Sequence, residues 1–482
     1  MRPRASRIPG IRDNDGFVRN LTYSSRGSRW LDDSHLVSEG RNPNWKRQYK
    51  LRHNWSQGRC EISEIHVAEQ PPVPPLLVRL HRGVVFTVDC TAGLRAWSLR
   101  GEQKLIATAC LESDEATRVS ESAPTALAID VHNEENDRIR VAVGFADGHF
   151  GIYELQRDAS IFVHQYTHPP SSNGMISAIA CNFPHFLTMT EAQLLSLYCF
   201  EVKPKQQAAM ESLHPPRLLS SLRSHTVWPP LSLSLRGSSE HITASIAYAL
   251  PTYLSGWSVG LQELRLTLEG DVLESRLASA IDQGFQPFYP LSSSSPSSLL
   301  QQENSATRST LVERLLSSTK PTSLSYSHPY LLASHPDNTL SLYMVTSTTD
   351  VLSIGNGRRL WGHTTSVSGA HVGDRGKAVS VSSRGDELRV WELEGGLSKR
   401  RVTAAEESVE VRAGIRDYAA EEHVTNSLEA SGARNALRRL GDERHAAELA
   451  VAPGWVGFDE EKVVVLHEKG LGTQALIVYD FT

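Results

Sequence analysis

A repeat narrows what this chain can fold into more than any other feature. From about residue 80 onward, short alternating apolar segments are separated by Gly, Asp, Asn and Pro turns. The clearest unit is LWGHTTSVSGAHVGDRGKAVSVSSRGDELRVWEL, residues 360–393. It has a Gly362-His363 pair, a strand starting near Val379, a tight turn at Arg384–Asp386 and a strand ending in Val390-Trp391. Weaker copies follow the same order at 84–99 (ending in Trp97), 125–155 (Asp147-Gly148 turn, Tyr153), 175–200 (Tyr198), 241–266 (Trp257 early), 322–345 (Asp337-Asn338 turn, Tyr343) and 454–481 (Tyr479). Period-two alternation is strand patterning, and one such unit cannot bury its apolar face alone, so the copies must pack on one another. Counting gives seven units.

The 360–393 unit resembles a WD40 repeat, in which a Gly-His pair opens a four-stranded blade and a Trp near its end packs beneath. The resemblance implies an all-β fold, a seven-bladed WD40-type β-propeller, preceded here by a short helical N-terminal segment. It also implies that His363, Ser380 or Ser382, and Trp391 share hydrogen bonds inside a packed layer. The order Arg384-Gly385-Asp386-Glu387 displaces the aspartate that the turn of such a repeat carries, which leaves Asp386 without a clear part. Taken alone, the segment also reads as an ordinary hairpin ending in a Trp.

Three intervals break the spacing and read as insertions: near 203–230, with Pro215-Pro216 and Pro229-Pro230; near 270–320, with the Ser-rich LSSSSPSSLLQQENSATRS; and near 395–450, rich in Arg, Glu and Ala. Long surface loops add little closure entropy, and propellers carry function on their loops.

Ahead of the repeats lies NWKRQYKLRHNWSQGRC, residues 44–60. Placed on a helix at about 100° per residue, Leu51 and Trp55 fall together and Trp45 and Tyr49 lie about 120° away. Lys46, Arg47, Lys50, His53 and Asn54 fill the remainder, and Gly58 stops the helix. Aromatic rings of this size need a surface, so the segment (about 44–57) is expected to act as a brace through Trp45, Tyr49 and Trp55, with its basic side in water.

The pattern W-K-x-x-Y-x-x-R-x-N-W-x-x-G, carried by Trp45, Lys46, Tyr49, Arg52, Asn54, Trp55 and Gly58 ahead of the repeats, resembles the linker of F-box/WD40-repeat proteins. In that family the F-box binds a Skp-type adaptor of a cullin–RING ubiquitin ligase (SCF), and the propeller's loop face holds a protein substrate. Residues 1–40 show neither the Leu-Pro opening nor the leucine richness of an F-box, so the F-box is expected to be largely missing here or to lie upstream. The expected division is a basic segment, 1–60, and a propeller, 61–482.

Charge and composition agree with a binding protein. Residues 1–60 hold 13 Lys+Arg and 5 Asp+Glu, and the remainder 36 and 49, so an acidic body follows a basic arm. That balance and the lack of a recognised module argue against nucleic acid, although an acidic partner could meet the arm. No apolar run is long enough for a membrane span, and the N-terminus has no secretory apolar region. Its arginines leave a mitochondrial presequence open, but it lacks a convincing amphipathic face. Five cysteines without C-x-x-C spacing suit a reducing compartment, cytoplasm or nucleus.

Phosphate-loop, nucleophile-elbow, zinc-protease and dinucleotide motifs are missing. The pairs His164/His168 and His328/His335 lack Cys or clustered acids at ligand spacing, and Asp32-Asp33 and Glu460-Glu461 read as solvated turns. The expectation is a non-catalytic substrate receptor with no cofactor and no metal. A general WD40 scaffold is the alternative, and a propeller enzyme a distant third; no substrate-binding residue is identifiable.

Overall fold

The computed structural model describes residues 45–69, 72, 74–101, 104–111, 122–130, 138–201, 213–224, 228–238, 240–252, 256–280, 320–373, 376–383, 385, 387–393, 408–413, 454–468 and 473–482. Among the described residues one helix, α1 (Trp45–Gln57), precedes seven separate sheets whose strands pair antiparallel except for one short parallel pairing in the last. Blade 1 spans Leu77 to Ala109, blade 2 Pro124 to His168, blade 3 Ile176 to Arg223 and blade 4 Trp228 to Ser279. Blade 5 runs from Ser323 to Trp361, blade 6 from Val367 to Glu410, and blade 7 begins at Val456. Each of the seven sequence units supplies the inner strands of one blade.

The second strands are mostly buried, and Val84–Asp89 and Tyr330–Ser334 entirely so, because a sheet sandwiched between two others has no solvent face. Between each pair of neighbouring blades sits one apolar cluster. Val84, Phe86, Leu127 and Val141 join blades 1 and 2; Leu340, Leu342, Val367 and Ala378 join blades 5 and 6. Val464 and Leu476 of blade 7 meet Val78 and Val85 of blade 1, so the ring closes.

Opposite ends of the chain make that closure. The fourth strand of blade 7 is Arg59–Ala68, antiparallel to Gln474–Asp480 with Ile62 opposite Tyr479, with the short Arg412–Ala413 along its outer edge. The boundary expected at residue 60 therefore falls inside a propeller strand. Arg95 secures the junction from blade 1: its Nη1 donates to the Val67 carbonyl (2.6 Å) and its Nη2 to Asp89 Oδ2 (2.7 Å). Lys462 Nζ donates to the Leu99 carbonyl (2.8 Å) and pairs with Asp480.

The intervals read as insertions are narrower than expected. The first contains Arg217–Arg223 and the start of Trp228–Gly237, the second contains Val272–Ser279, and the third contains Ser408–Glu410 and Arg412–Ala413. Four of these lie at the outer edge of their sheets; with one edge in water they need few apolar residues, which hid them. Residues 281–319, 394–407 and 414–453, including the Ser-rich run, lie outside the described residues, as do residues 1–44.

Because neighbouring strands of a blade run antiparallel, the ends at which its first strand leads into its second lie on one face of the ring, here the lower face, and the opposite strand ends on the upper face.

Candidate functional site

Helix α1 is seated on the lower face at the seam between blades 6 and 7. Leu51 and Trp55 enter a buried cluster with Val379, Val381, Leu388 and Val390 of blade 6 and Val456, Val463 and Phe481 of blade 7. The Trp55 ring lies parallel to Phe481 at 3.9 Å between centroids, and its Nε1 donates to the Glu460 carbonyl (2.9 Å). Lys377 Nζ sits 3.5 Å from the ring centroid on blade 6, a cation–π contact. The indole therefore touches both blades at once.

Two expectations about α1 need correction. Tyr49 does not belong to the brace: it is 72% exposed, and its ring stacks on His53. The helix docks along a narrow stripe centred on Leu51 and Trp55, and a residue about 120° away points to water. The Trp45 side chain lies outside the described residues. Nor is the basic side simply solvated. Arg47 Nη2 meets Glu461 Oε1 at 2.7 Å, Lys50 Nζ donates to the Thr482 backbone oxygen (3.1 Å), and Asn54 Nδ2 donates to the Phe481 carbonyl (2.8 Å). The Glu460-Glu461 turn, read as solvated, is thus the docking turn for the helix.

Gly58 lets the chain leave α1 and enter the closing strand at once. Its φ is +64°, and a Cβ there would lie 2.3 Å from the Glu410 carbonyl oxygen. Cys60 follows within the same core; burial, and secondarily Asp480, push its thiol up to about 12, so it packs as a small apolar group.

Inside blade 6, His363, Ser380 and Trp391 are brought together. Ser380 Oγ is 2.6 Å from His363 Nε2 and accepts from Trp391 Nε1 at 2.8 Å. All three are buried, Ser380 completely. Ser382 takes a different part: its Oγ accepts from the Glu387 N–H (3.0 Å). Asp386 lies outside the described residues. Its neighbour Glu387 was missed, and it faces His363 Nδ1 at 3.4 Å while accepting from the Thr364 N–H (2.8 Å) and Arg389 Nε (2.7 Å). Burial alone would raise the Glu387 carboxyl; the Thr364 and Arg389 hydrogen bonds and the nearby His363 outweigh it and hold the group below its ordinary value. A one-residue shift of the acid from the usual repeat order was the signal available. Blade 1 keeps a partial copy, with Trp97 Nε1 donating to Thr87 Oγ1 (3.0 Å).

This set is a packing device, because no member is open to a ligand. Among the described residues no three His, Cys, Asp or Glu side chains gather as a metal site. His164 and Thr167 pair on the outer strand of blade 2, while His168 stacks on Phe150. His328 lies in a blade 5 turn, and His335 meets Ser341 Oγ at 2.9 Å.

Seven sheets closed by a terminal strand, with a Gly-His/Ser/Trp set in one blade, define a WD40-type β-propeller, a class of protein-interaction domain. Residues 60–482 match the sequence profile of the F-box protein pof12 beta-propeller, and the chain belongs to that family. Among solved structures it is similar to the WD40 beta propeller domain of Doa1, at 11% identity and TM-score 0.41 over 87% of this chain and 95% of that one. It is also similar to the Cps50 (Swd1) propeller of Myceliophteria thermophila, at 10%, 0.43, and 87% and 100% coverage. Sqt1 of Saccharomyces cerevisiae gives 10%, 0.38, and 83% and 81%. No curated protein matches significantly.

Proposed function

We propose that this chain is a non-catalytic substrate-recognition subunit of an SCF-type cullin–RING ubiquitin ligase, or a derivative of one, acting in the cytoplasm or nucleus. It presents a bound protein for ubiquitin transfer by proximity, and the ligase does the chemistry. The carrying observation is the seat of α1. Trp55 locks the helix onto blades 6 and 7, so the linker-like helix has one fixed seat on the propeller, and its start at Trp45 is the point at which an F-box would join. Membership of an F-box protein propeller family supports the same reading.

Co-expression of the 482-residue chain with a Skp-type adaptor and a cullin, followed by size-exclusion chromatography, tests it directly. Co-elution in a defined complex is expected. A propeller that elutes alone while the adaptor and cullin assemble with a control F-box protein would leave the second reading, a WD40 scaffold without a ubiquitin role.

A further inference from the structure

Blade 4 turns to blade 5 a surface that changes character from its upper to its lower end. Cross-strand register places Ala247, Leu261 and Ala278 side by side, and these join Leu324, Leu331 and Val345 in the apolar core between the blades. Alternate residues share a side, so the next row toward the lower face is Ser245, Glu263 and Arg276. The row after that is Arg236, Thr243, Arg265 and Glu274. Glu263, Arg276, Thr243 and Arg265 of these rows, with His241 and with Ser347 of blade 5, line a cavity of about 260 Å³, and exposed Arg236, Gly237 and Ser238 form its mouth.

The cavity holds more donors than its acceptors use. Arg276 is 9% exposed and Glu263 1%; Arg276 Nη2 donates to Glu263 Oε2 (2.8 Å) and Ser347 Oγ (3.1 Å). Its Nη1 donates to the Thr348 carbonyl, but its buried Nε has no hydrogen-bond acceptor and lies 3.8 Å from Glu274 Oε1. Arg265 reaches Glu274 and the Thr348 carbonyl only at 3.4 and 3.5 Å. Arg236 forms no hydrogen bond or ion pair among the described residues. Three guanidinium groups therefore face two carboxylates, Glu263 and Glu274. Arg265, with only long contacts, and Arg236 at the mouth keep donors that an anionic occupant could use.

The occupant's size and chemistry follow. A carboxylate or phosphoryl group matches the planar fork of arginine. The volume is below the ~300–1,000 Å³ of pockets for drug-sized ligands and is some eight times the ~30 Å³ share of one water. That is room for one acid-bearing side chain. A nucleic-acid strand would need a track of cations, and the chain as a whole carries a net charge of −5. Val351, 51% exposed, sits on the neighbouring turn whose Thr348 carbonyl accepts from Arg276, offering an apolar contact near the cavity.

We propose that this cavity binds a single oxyanion carried on an acidic segment of a protein partner, with Arg265 and Arg236 as donors beside the buried Arg276–Glu263 pair. The site lies on blades 4 and 5, away from α1, and stands whether or not an adaptor binds.

Calorimetric titration of the full chain at constant ionic strength tests it with inorganic phosphate, glutarate and short Gly/Ser peptides centred on Glu, phosphoserine or Ser. Saturable one-to-one binding of an acid-bearing peptide is expected, with none for the Ser peptide; whether the phosphoserine or the Glu peptide binds tighter identifies the anion. Arg236→Gln should weaken binding at least tenfold with an unchanged unfolding midpoint, whereas Arg217→Gln, an exposed arginine on blade 3, should have no effect. Binding that Arg236→Gln leaves intact, or no saturable binding with any probe, would overturn the site. Saturation by phosphate without either acidic peptide would overturn the assignment to a protein segment.

Discussion

Replacing Trp55 by Ala should unfasten α1 from the propeller, and the size of the loss can be worked from its surroundings. The ring is 1% exposed. A buried aromatic of this kind covers about 150–250 Å², which at ~25 cal/mol/Å² sets an upper bound of roughly 4–6 kcal/mol. Alanine recovers part of that, while the cavity left between blades 6 and 7 adds to the loss. The Phe481 stack and the Nε1 hydrogen bond each contribute about 1 kcal/mol more. The expected destabilisation is about 3–5 kcal/mol, within the usual range for Trp→Ala in a core. Urea unfolding of the full chain measures it. Two companions make the result specific. Trp55→Phe keeps the stack but loses the hydrogen bond to the Glu460 carbonyl and should lose about 1–2 kcal/mol. Tyr49→Ala, on the exposed side, should stay within about 0.5 kcal/mol. Amide exchange along residues 61–67 should rise first in Trp55→Ala, because that strand follows α1 directly and closes the ring. An unchanged midpoint for Trp55→Ala, or a Tyr49→Ala loss equal to it, would refute the brace.

Three further outcomes are expected. Ser380→Ala removes the shared partner of His363 and Trp391 in a dry layer and should lower stability by about 2–4 kcal/mol; a loss under about 0.5 kcal/mol in chemical denaturation would show that the hydrogen bonds are dispensable. Gly58→Ala places a Cβ against the Glu410 carbonyl at a left-handed φ and should destabilise by at least about 2 kcal/mol, so a wild-type melting temperature would contradict the turn geometry. Glu387 has a folded pKa below its ordinary value of 4.5, so the stability it contributes is present above that pH and fades as pH falls through the folded pKa. Glu387→Gln should therefore lose stability at pH 7 and show a flatter decline below pH 4.5 than wild type in melts recorded from pH 7 to 3; parallel curves would sink this assignment.

Several parts of the candidate site were legible because their signals are local. The Gly362-His363 pair and Trp391 mark a blade by identity, and the helical spacing of Leu51 and Trp55 marks one face. Glu387 was not legible, because the pattern assigns the acid to the preceding position and only the folded turn shows which carboxylate reaches His363. Tyr49 misled for a related reason. An aromatic residue looks like a burial signal, but burial depends on whether a second surface lies opposite it. The outer strands, such as Arg217–Arg223, were hidden because a strand with one edge in water does not need the apolar alternation that reveals the inner ones.

By itself the sequence determined the number and kind of units: seven alternating segments set off by turns, and one amphipathic helix ahead of them. Periods of 2 and 3.6 follow from the geometry of a single strand or helix, so neighbouring residues suffice to write them. Tertiary structure alone decided the rest. It chose Arg59–Ala68 to complete the last blade, Ser380 over Ser382 as the shared partner, and Trp55 over Tyr49 as the anchor. It also gathered Arg236, Glu263 and Ser347 from two blades around one cavity. Those choices depend on which distant surfaces meet when the ring closes, and no local period encodes that.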